Sequence, residues 1–373
     1  MKTPIRIVFD AYHLYHLPQF DPVIDLMQKD DRFEVFLTTS SKNLPDEKDL
    51  TKRILQNHGG QCVFANDEKK RAEEVRNLKP DIFICGWSRY PLKQFVSKST
   101  IVGMIYHGIG VKPSYWRDNN QRLDIRFVEG PFRIRQLREK GIQTDLELTG
   151  MTKIDPLFNG QIANRQEILG RLGLDPDKKT LLYGPTFYPS SFEVLGLKLP
   201  EMVKDMNLII KLHQWSYFME KFSGVNLRRH MQLAVKIRKK YPHVVIIEPE
   251  HYNIVDLYQA ADVLLTEASS TIYEFMALRK QVIMCDFFSR KIGHSILPNR
   301  IYRHRLDPDM YGNMTDFCYH IEKPKELPEI LAKCFNDPDP FVTIREKYIS
   351  DMLFRLDGKA SERVFVSLLK RLN

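Results

Sequence analysis

The sequence predicts an α/β protein with two doubly wound domains, each built on a parallel sheet. Short runs of Val, Ile and Leu alternate with helical patterns, which is typical of parallel strands covered by helices on both faces. This alternation occurs twice along 373 residues, and a chain of that length exceeds what one typical core accommodates. Both observations favour two domains of the same architecture.

The predicted strands fall into two groups. The first group is 5–9, 33–39, 62–65, 81–86, 101–107, 125–130 and 145–150. The second group is 180–186, 207–213, 244–249, 262–267 and 281–287. Turn signals around Asp155-Pro156 and Asp175-Pro176 flank one helix between the groups. We therefore expect an N-terminal domain over 1–165, a C-terminal domain over 166–340, and helices over 341–373 that pack across the domain junction.

Composition and charge narrow the class of protein. No stretch approaches the ~20 uninterrupted apolar residues that span a bilayer, and the N-terminus enters a strand without a signal peptide's apolar core, so we expect a cytoplasmic protein. The net charge of +9 favours anionic partners. An anionic membrane surface is favoured over nucleic acid, because no nucleic-acid module accompanies the dispersed basic residues. Five cysteines without C-x-x-C spacing indicate buried free thiols, and neither a metal nor a cofactor is expected.

Histidines follow one strand in each half of the chain, and ligands of open α/β sheets bind outside the carboxyl ends of the strands. His107 enters a Gly-x-Gly loop that starts at Gly108 and is followed by Lys112. A histidine there can act as a general base, because its ordinary pKa lies near neutral pH; the alternative is one that only binds neighbouring loops. His213 follows a strand of the second half, with Lys211 on the same strand face. Two histidines placed in this way can face each other across a cleft. One can then deprotonate a hydroxyl while the other binds a phosphate.

Three hydroxyl residues, Ser269, Ser270 and Thr271, stand where the strand 262–267 gives way to a helix. The free N–H groups and the positive end of the helix dipole point there, which predicts an anion site. The alternative is an ordinary N-cap with two idle hydroxyls. Glu274, one turn into the helix, can accept hydrogen bonds from ribose hydroxyls.

Further candidates follow the remaining strands. Thr186 can donate to a phosphate or act as a simple cap. Lys153, after the strand 145–150, can reach a phosphate in the cleft. Asp10 and His13, followed by His16, come directly after the first strand and can bind an acceptor. Surface and core packing is the alternative for these N-terminal side chains.

Several of these segments resemble the CDP-glycerol glycerophosphotransferase family, whose members synthesise teichoic acid and related polymers. The matching segments are "HGIGVK", "LTGMTKIDPL", "YGPTF", "IIKLHQ", "ADVLLTEASSTIYEFMAL" and "DGKASER". They follow the family's order over most of the chain. The resemblance implies the GT-B fold and transfer of glycerol phosphate from CDP-glycerol to an acceptor hydroxyl, with release of CMP.

The resemblance also implies roles for individual residues. His107 would be the base and His213 would bind the donor phosphate, while Ser269, Ser270 and Thr271 hold the pyrophosphate and Glu274 the ribose. Gln214 stands where the family has Pro, and Glu267-Ala268 where it has Asp-Tyr. These departures leave open another CDP-alditol as donor, and a lipid-linked or a glycan acceptor. The alternatives are a GT-B nucleotide-sugar glycosyltransferase, an enzyme like the UDP-sugar 2-epimerases, and a non-catalytic scaffold or membrane-surface binder.

Overall fold

The structure is a computed structural model that describes residues 4–111, 114–117, 119–222, 225–290, 295–297 and 308–372. The chain divides into two compact units. Unit 1 comprises residues 1–108, 116–159 and 350–373, and unit 2 comprises residues 109–115 and 160–349. The domain boundaries expected from the sequence stay a prediction, as does the packing of the terminal helices across a junction.

The described residues form fifteen strands. They are β1 (Ile5–Asp10), β2 (Phe33–Thr38), β3 (Gln61–Val63), β4 (Ile82–Cys85), β5 (Ile101–Ile105), β6 (Ile125–Val128), β7 (Asp145–Leu148), β8 (Thr180–Tyr183), β9 (Asn207–Ile210), β10 (Lys221–Phe222), β11 (Val225–Asn226), β12 (Val245–Ile246), β13 (Val263–Thr266), β14 (Gln281–Cys285) and β15 (Tyr319–Ile321).

The α-helices of the described residues follow in chain order. They are α1 (Leu17–Gln28), α2 (Pro45–Asn57), α3 (Glu68–Asn77), α4 (Ser114–Arg117), α5 (Pro131–Glu139), α6 (Arg165–Arg171), α7 (Phe192–Leu195), α8 (Lys198–Met202), α9 (Gln214–Phe218), α10 (Arg228–Lys240), α11 (Val255–Ala260), α12 (Ser270–Met276), α13 (Pro308–Thr315), α14 (Leu327–Asn336), α15 (Val342–Leu353) and α16 (Ala360–Leu372). Short 3-10 helices cover Leu14–His16, Leu92–Gln94, Thr152–Leu157 and Pro324–Glu326. Within these residues no helix is both long and apolar enough to cross a bilayer.

Each unit contains one parallel, doubly wound sheet, as the sequence predicts. The sheet of unit 1 has the order β3-β2-β1-β4-β5-β6-β7, and that of unit 2 has the order β12-β9-β8-β13-β14-β15. The central strands β4, β8, β9 and β13 are buried along their whole length. Continuous apolar runs therefore form strands here because both faces of each sheet are covered.

The structure differs from the sequence prediction at the strand ends and in the shortest strands. The strand expected over 101–107 ends at Ile105, so Tyr106 and His107 lie in the following loop. The two-residue pair β10 and β11 and the three-residue β15 were not predicted. None of these three strands lies in an apolar run of four residues, whereas the equally short β3 and β12 overlap "CVFA" and "VVII".

The C-terminal helix α16 is held to unit 1 by the end of β7 and the loop after it. The Asp155 carboxylate accepts hydrogen bonds from the backbone N–H groups of Ala360 (3.0 Å) and Ser361 (2.7 Å) and from the Ser361 hydroxyl (2.6 Å). Arg363 donates to the carbonyl of Thr149 at 2.8 Å. The segments "LTGMTKIDPL" and "DGKASER" thus bind each other, which gives these two motifs a structural role.

Candidate functional site

The strand order of unit 1 reverses between β1 and β4, and such a reversal is where open α/β sheets bind ligands. His13 and His16 follow β1, and Trp87 follows β4. His107 follows β5, the next strand along the sheet. The topology therefore gathers three histidines at one edge of this sheet, although they are far apart in the chain.

His107 has a tautomer that is set by the backbone. Its Nδ1 lies 3.1 Å from the carbonyl oxygen of Gly86. A carbonyl only accepts hydrogen bonds, so in the neutral ring Nδ1 carries the proton and Nε2 carries the lone pair. Gly108 follows and is buried, whereas Lys112 lies outside the described residues. The arrangement gives His107 the form that a general base requires.

His16 packs against the ring of His107. The two rings stack at 4.7 Å with 29° between their planes, and His16 is fully buried. Burial lowers the pKa of His16 well below its ordinary value, so this ring is neutral. A Cβ at position 86 would lie 2.8 Å from the His16 ring, so only Gly86 leaves room for it.

His13 forms a pair with a buried carboxylate. Its Nδ1 lies 3.0 Å from Oε1 of Glu47, which is 1% exposed in the first turn of α2. The Tyr15 ring stacks on His13 at 5.1 Å and meets the edge of His107 at 5.2 Å. His13 and His107 are therefore both in contact with Tyr15.

Asp10 and Lys153, two candidates of unit 1, are deeply placed. The Asp10 carboxylate is fully buried, with Arg71 Nη1 at 3.0 Å and the Tyr90 hydroxyl at 2.5 Å. Burial raises the pKa of Asp10, and the Arg71 charge opposes that rise. Direct contact between Asp10 and an acceptor would require this ion pair to open. Lys153 is 9% exposed in the 3-10 helix after β7.

The strand order of unit 2 reverses between β8 and β13. Thr186 follows β8, His213 follows β9, and Ser269 follows β13, so adjacent strands bring these residues to one sheet edge. Lys211 stands at the same end of β9 and is 5% exposed. The donor-site candidates of this unit are therefore gathered in the way that the sequence predicts for a ligand site.

His213 has the opposite hydrogen-bond state to His107. It is the N-cap of α9, and its Nδ1 accepts a hydrogen bond from the backbone N–H of Trp215 at 3.1 Å. The neutral ring therefore carries its proton on Nε2, where it is a donor. The Phe187 ring packs 4.7 Å from the His213 ring. A donor at a strand end suits a phosphate oxygen rather than proton abstraction.

The three hydroxyl residues at the start of α12 make different bonds. Ser269 is the N-cap and accepts from the backbone N–H of Thr271 at 3.3 Å. The hydroxyls of Ser269 and Thr271 lie 2.5 Å apart. Ser270 takes part in neither bond and is half-buried. One hydroxyl thus caps the helix and a second supports the cap, which leaves Ser270 as the hydroxyl without that structural role.

Two glutamates support this edge of the sheet of unit 2. Glu267 is fully buried and accepts from the N–H of Thr186 at 2.6 Å and from the N–H and hydroxyl of Ser191. Burial raises the pKa of Glu267, and these hydrogen bonds oppose the rise. The Thr186 hydroxyl donates to the carbonyl of Pro189. Glu274 is fully buried and accepts from the Tyr258 hydroxyl at 2.7 Å, so its contact with a ribose stays a prediction.

Sequence reasoning missed several residues of these two edges. Glu47, Gly86, Trp87 and Glu267 all contact a predicted site residue or its loop. Of these, only Glu267 carried a signal, since it stands directly after a buried strand and next to the candidate hydroxyl residues. Among the described residues, no group of three or more His, Cys, Asp or Glu side chains could hold a metal ion.

The model of one protein family, described as CDP-Glycerol:Poly(glycerophosphate) glycerophosphotransferase, matches residues 140–370. That match covers more than half of the chain. The chain belongs to this family. The family match includes His213 and the hydroxyl residues at the start of α12, and it begins after His107 in the sequence.

Two relatives of this chain come from Bacillus spizizenii (strain ATCC 23059 / NRRL B-14472 / W23). A teichoic acid poly(glycerol phosphate) polymerase is 28% identical over 135 residues, which are 32% of this chain and 30% of the relative. A teichoic acid poly(ribitol-phosphate) polymerase is 25% identical over 307 residues, which are 74% of this chain and 44% of the relative. The chain therefore matches less than half the length of these relatives.

Solved structures identify the fold of this family member. The wall teichoic acid polymerase TagF superposes with a TM-score of 0.69 at 17% identity, over 99% of this chain and 89% of the TagF chain. A putative UDP-N-acetylglucosamine 2-epimerase from Listeria monocytogenes superposes with a TM-score of 0.63 at 13% identity, over 100% and 97% of the two chains. The fold is GT-B, as the resemblance of the motifs implied.

Proposed function

We propose that this protein transfers glycerol phosphate, or a related alditol phosphate, from a CDP-activated donor to an acceptor hydroxyl in the synthesis of a cell-surface polymer or glycan. Membership of the glycerophosphotransferase family supports the donor class. The observation that carries the proposal is the pair of strand-end histidines in opposite hydrogen-bond states. One has the form of a base and the other the form of a phosphate donor.

The proposed reaction is an in-line displacement at the phosphorus that bears the alditol. Nε2 of His107 takes the proton from the acceptor hydroxyl, whose oxygen forms the new P–O bond. The bond from that phosphorus to the bridging oxygen breaks, and CMP leaves with the electron pair. Nε2–H of His213 donates to a phosphoryl oxygen, where negative charge is spread in such a transition state.

The donor-binding roles are likewise proposals. Ser269, Ser270 and Thr271 would hold the pyrophosphate, with Ser270 free of the capping bonds to serve as a hydroxyl donor. Lys211 at the end of β9 adds positive charge beside His213. Thr186 donates its N–H to Glu267 and its hydroxyl to the carbonyl of Pro189, so a hydrogen bond from this hydroxyl to a phosphate would replace the bond to Pro189.

Further residues are proposed to contact the donor and the acceptor. Lys153 would reach a phosphate, and Glu274 would accept from the ribose once the Tyr258 hydroxyl shares it. Gly108, His13 and Asp10 would line the acceptor side, and the predicted role of Lys112 concerns a residue outside the described ranges. A lipid-linked or glycan acceptor is proposed, and no nucleic acid.

CMP release in the presence of an acceptor tests the proposal. We expect His107→Gln to reduce turnover at least ~100-fold, the usual size of a lost general base, while calorimetric affinity for CDP-glycerol is unchanged. His213→Gln should reduce turnover and donor affinity together. His243→Gln, an exposed histidine of unit 2, is the matched control. Near-normal turnover of the His107 variant would refute its role as the base.

A nucleotide-sugar enzyme is the second candidate function, favoured by the superposition on the 2-epimerase. Either donor would bring a nucleoside diphosphate to the carboxyl edge of the sheet of unit 2, so the base of the nucleotide discriminates between the two candidates. Thermal shift with CDP-glycerol and with UDP-N-acetylglucosamine is the direct comparison. Stabilisation by the UDP compound alone would favour this second candidate.

We also propose that the protein works in the cytoplasm at the inner membrane face, in peripheral contact with anionic lipid. The chain carries a net charge of +9. The solvent face of α10 presents Lys236 and Lys239, which make no ion pair within the described residues, beside Val235, which is 60% exposed. An exposed apolar side chain among cations fits an anionic bilayer surface.

Vesicle sedimentation tests this contact. Each lysine at an anionic surface is worth about 1 kcal/mol, so Lys236→Glu with Lys239→Glu should weaken binding to phosphatidylglycerol vesicles at least ~10-fold. Lys29→Glu with Lys98→Glu changes the net charge equally on exposed residues of unit 1. Equal binding by both double variants would show that net charge, not this helix face, attracts the protein.

A further inference from the structure

The pair formed by His13 and Glu47 has a defined chemistry that the proposed reaction does not use. Nδ1 of His13 lies 3.0 Å from the Glu47 carboxylate, which accepts but cannot donate while it is ionised. Glu47 lies in the first turn of the thirteen-residue helix α2, where the helix dipole favours the charged carboxylate. When the His13 ring is neutral, its proton lies on Nδ1, which faces the carboxylate, and its lone pair lies on Nε2.

The pair is also held rigidly. Glu47 is 1% exposed and its backbone carbonyl accepts from the Thr51 hydroxyl at 2.7 Å. The His13 ring is stacked on Tyr15 with only 12° between the planes, and the Trp87 ring meets its edge at 5.1 Å. The His13 side chain keeps 12% of its surface exposed. An imidazole that is held in place and still keeps part of its surface exposed is suited to bind a ligand.

The position of His13 relates it to the proposed base. Tyr15 is in ring contact with both His13 and His107, at 5.1 and 5.2 Å. His16 also contacts both rings, at 5.8 and 4.7 Å. Two hydrogen bonds of ~2.8 Å to neighbouring oxygens about 3 Å apart span roughly 8 Å. Through Tyr15, the ring centroids of His13 and His107 lie at most about 10 Å apart. One small polyol therefore reaches both rings when their Nε2 edges face it.

We propose that His13, oriented by Glu47, binds a second hydroxyl of the acceptor, so that the enzyme selects an acceptor with hydroxyls on neighbouring carbons. The reacting hydroxyl gives its proton to His107, and the adjacent hydroxyl donates a hydrogen bond to Nε2 of His13. This inference rests on the proposed transfer reaction. His13 and Glu47 neither gain nor lose a proton in the reaction, because the second hydroxyl keeps its proton throughout.

The recognised chemistry is a vicinal diol, which the end of an alditol chain and a sugar ring both contain. A carboxylate behind the imidazole fixes which nitrogen accepts, so the site discriminates by hydrogen bonding rather than by shape. Sites built to bind a hydroxyl reject an analogue that lacks it, because the site's polar group is then left unpaired. The selectivity should therefore depend on the nitrogen of His13 and not on its ring.

Two acceptors that differ by one hydroxyl provide the test. 1-O-Octylglycerol carries a terminal hydroxyl with a neighbouring one, and 3-octyloxypropan-1-ol carries the terminal hydroxyl alone. With CDP-glycerol as donor, we expect the wild type to prefer the diol about 10-fold in kcat/KM, since one hydrogen bond is worth roughly that factor. His13→Phe keeps a ring against Tyr15 and should abolish the preference by raising KM for the diol.

Glu47→Leu should lower the preference as well, because the tautomer of His13 is then no longer set. The matched control is His58→Phe, which removes another histidine of unit 1 that lies near a carboxylate, 3.4 Å from Asp21. It should leave the preference unchanged. The two proteins and the two acceptors together form a thermodynamic cycle. Its interaction term reports the hydrogen bond between His13 and the second hydroxyl, because a general effect of the substitution on folding changes turnover of both acceptors equally.

The outcomes separate this inference from the proposed function. If CMP release occurs and both acceptors are used equally by wild type and His13→Phe, the diol assignment is overturned and the transfer reaction stands. Hydrolysis of CDP-glycerol with use of neither acceptor also overturns it, because the site would then not take a minimal vicinal diol. If no CDP-alditol is turned over with any acceptor, the proposed function itself fails.

Discussion

Protonation of His230 should loosen the part of unit 2 that carries His213. The His230 ring lies in α10, with its Nδ1 3.0 Å from the Ser216 hydroxyl, and Ser216 belongs to α9, the helix that His213 caps. Its edge also meets the Phe192 ring at 5.6 Å. Burial lowers the pKa of His230 from 6.5 to about 4, since charging the ring in this apolar contact is unfavourable.

The sign and size of the effect follow from linkage. Between the two pKa values the unfolded chain binds the proton more readily than the folded one, so stability is full above pH 6.5 and falls as the pH falls. With a folded pKa of about 4 for His230, this one group should remove about 2 kcal/mol of unfolding free energy between pH 7.5 and pH 5. One proton added to α10 thus weakens the support of the donor-binding edge.

Urea unfolding of the wild type and of His230→Gln at the two pH values is the assay. Glutamine retains a hydrogen-bonding group toward Ser216 but does not titrate. Other groups contribute to the pH dependence of both proteins, so the quantity to compare is its difference between them, expected to be about 2 kcal/mol. His243→Gln, on an exposed histidine of the same unit, should give no difference. Parallel pH dependence of wild type and His230→Gln would refute the reasoning.

Two further predictions concern unit 1. Asp155→Ala removes three hydrogen bonds at the N-terminus of α16. It should lower the free energy of unfolding in urea by about 2–4 kcal/mol and leave the calorimetric affinity for CDP-glycerol unchanged. Lost affinity at unchanged stability would instead give Asp155 a role in binding. Gly86→Ala puts a Cβ 2.8 Å from the His16 ring. Overpacking of this kind costs about 1–3 kcal/mol and should displace the Gly86 carbonyl that orients His107. We therefore expect kcat to fall at least ~10-fold with little change in the KM for the donor. Normal kcat would show that His107 does not depend on that carbonyl.

Much of the fold could be predicted from the sequence because it depends on local pattern. Apolar runs of four to six residues predicted the buried strands of both sheets, and their order alone implied parallel pairing. The candidate histidines were likewise visible, since a polar residue directly after a buried strand has to lie at a sheet edge. β10, β11 and β15 were not predicted because they lie outside any apolar run of four residues.

Motifs were less reliable guides to what each residue does. Asp155 stands in a segment that resembles the family's motifs, yet it caps a helix more than 200 residues later in the chain. Asp10 forms a buried ion pair with Arg71. Of the three hydroxyls in "EASST", Ser269 caps α12 and Thr271 binds Ser269. Sequence pattern shows where such residues stand but not which partner takes up their hydrogen bonds.

By itself the sequence determined the two parallel sheets and the histidines at their edges, because both follow from neighbouring residues along the chain. Only the tertiary structure decided the chemical state of those histidines. His107 meets a carbonyl 21 residues away and His13 a carboxylate 34 residues away, whereas His213 accepts from an N–H two residues on. A histidine's proton goes to the nitrogen that faces an acceptor, and which atom it faces is settled by the packing of strands and helices distant in the chain.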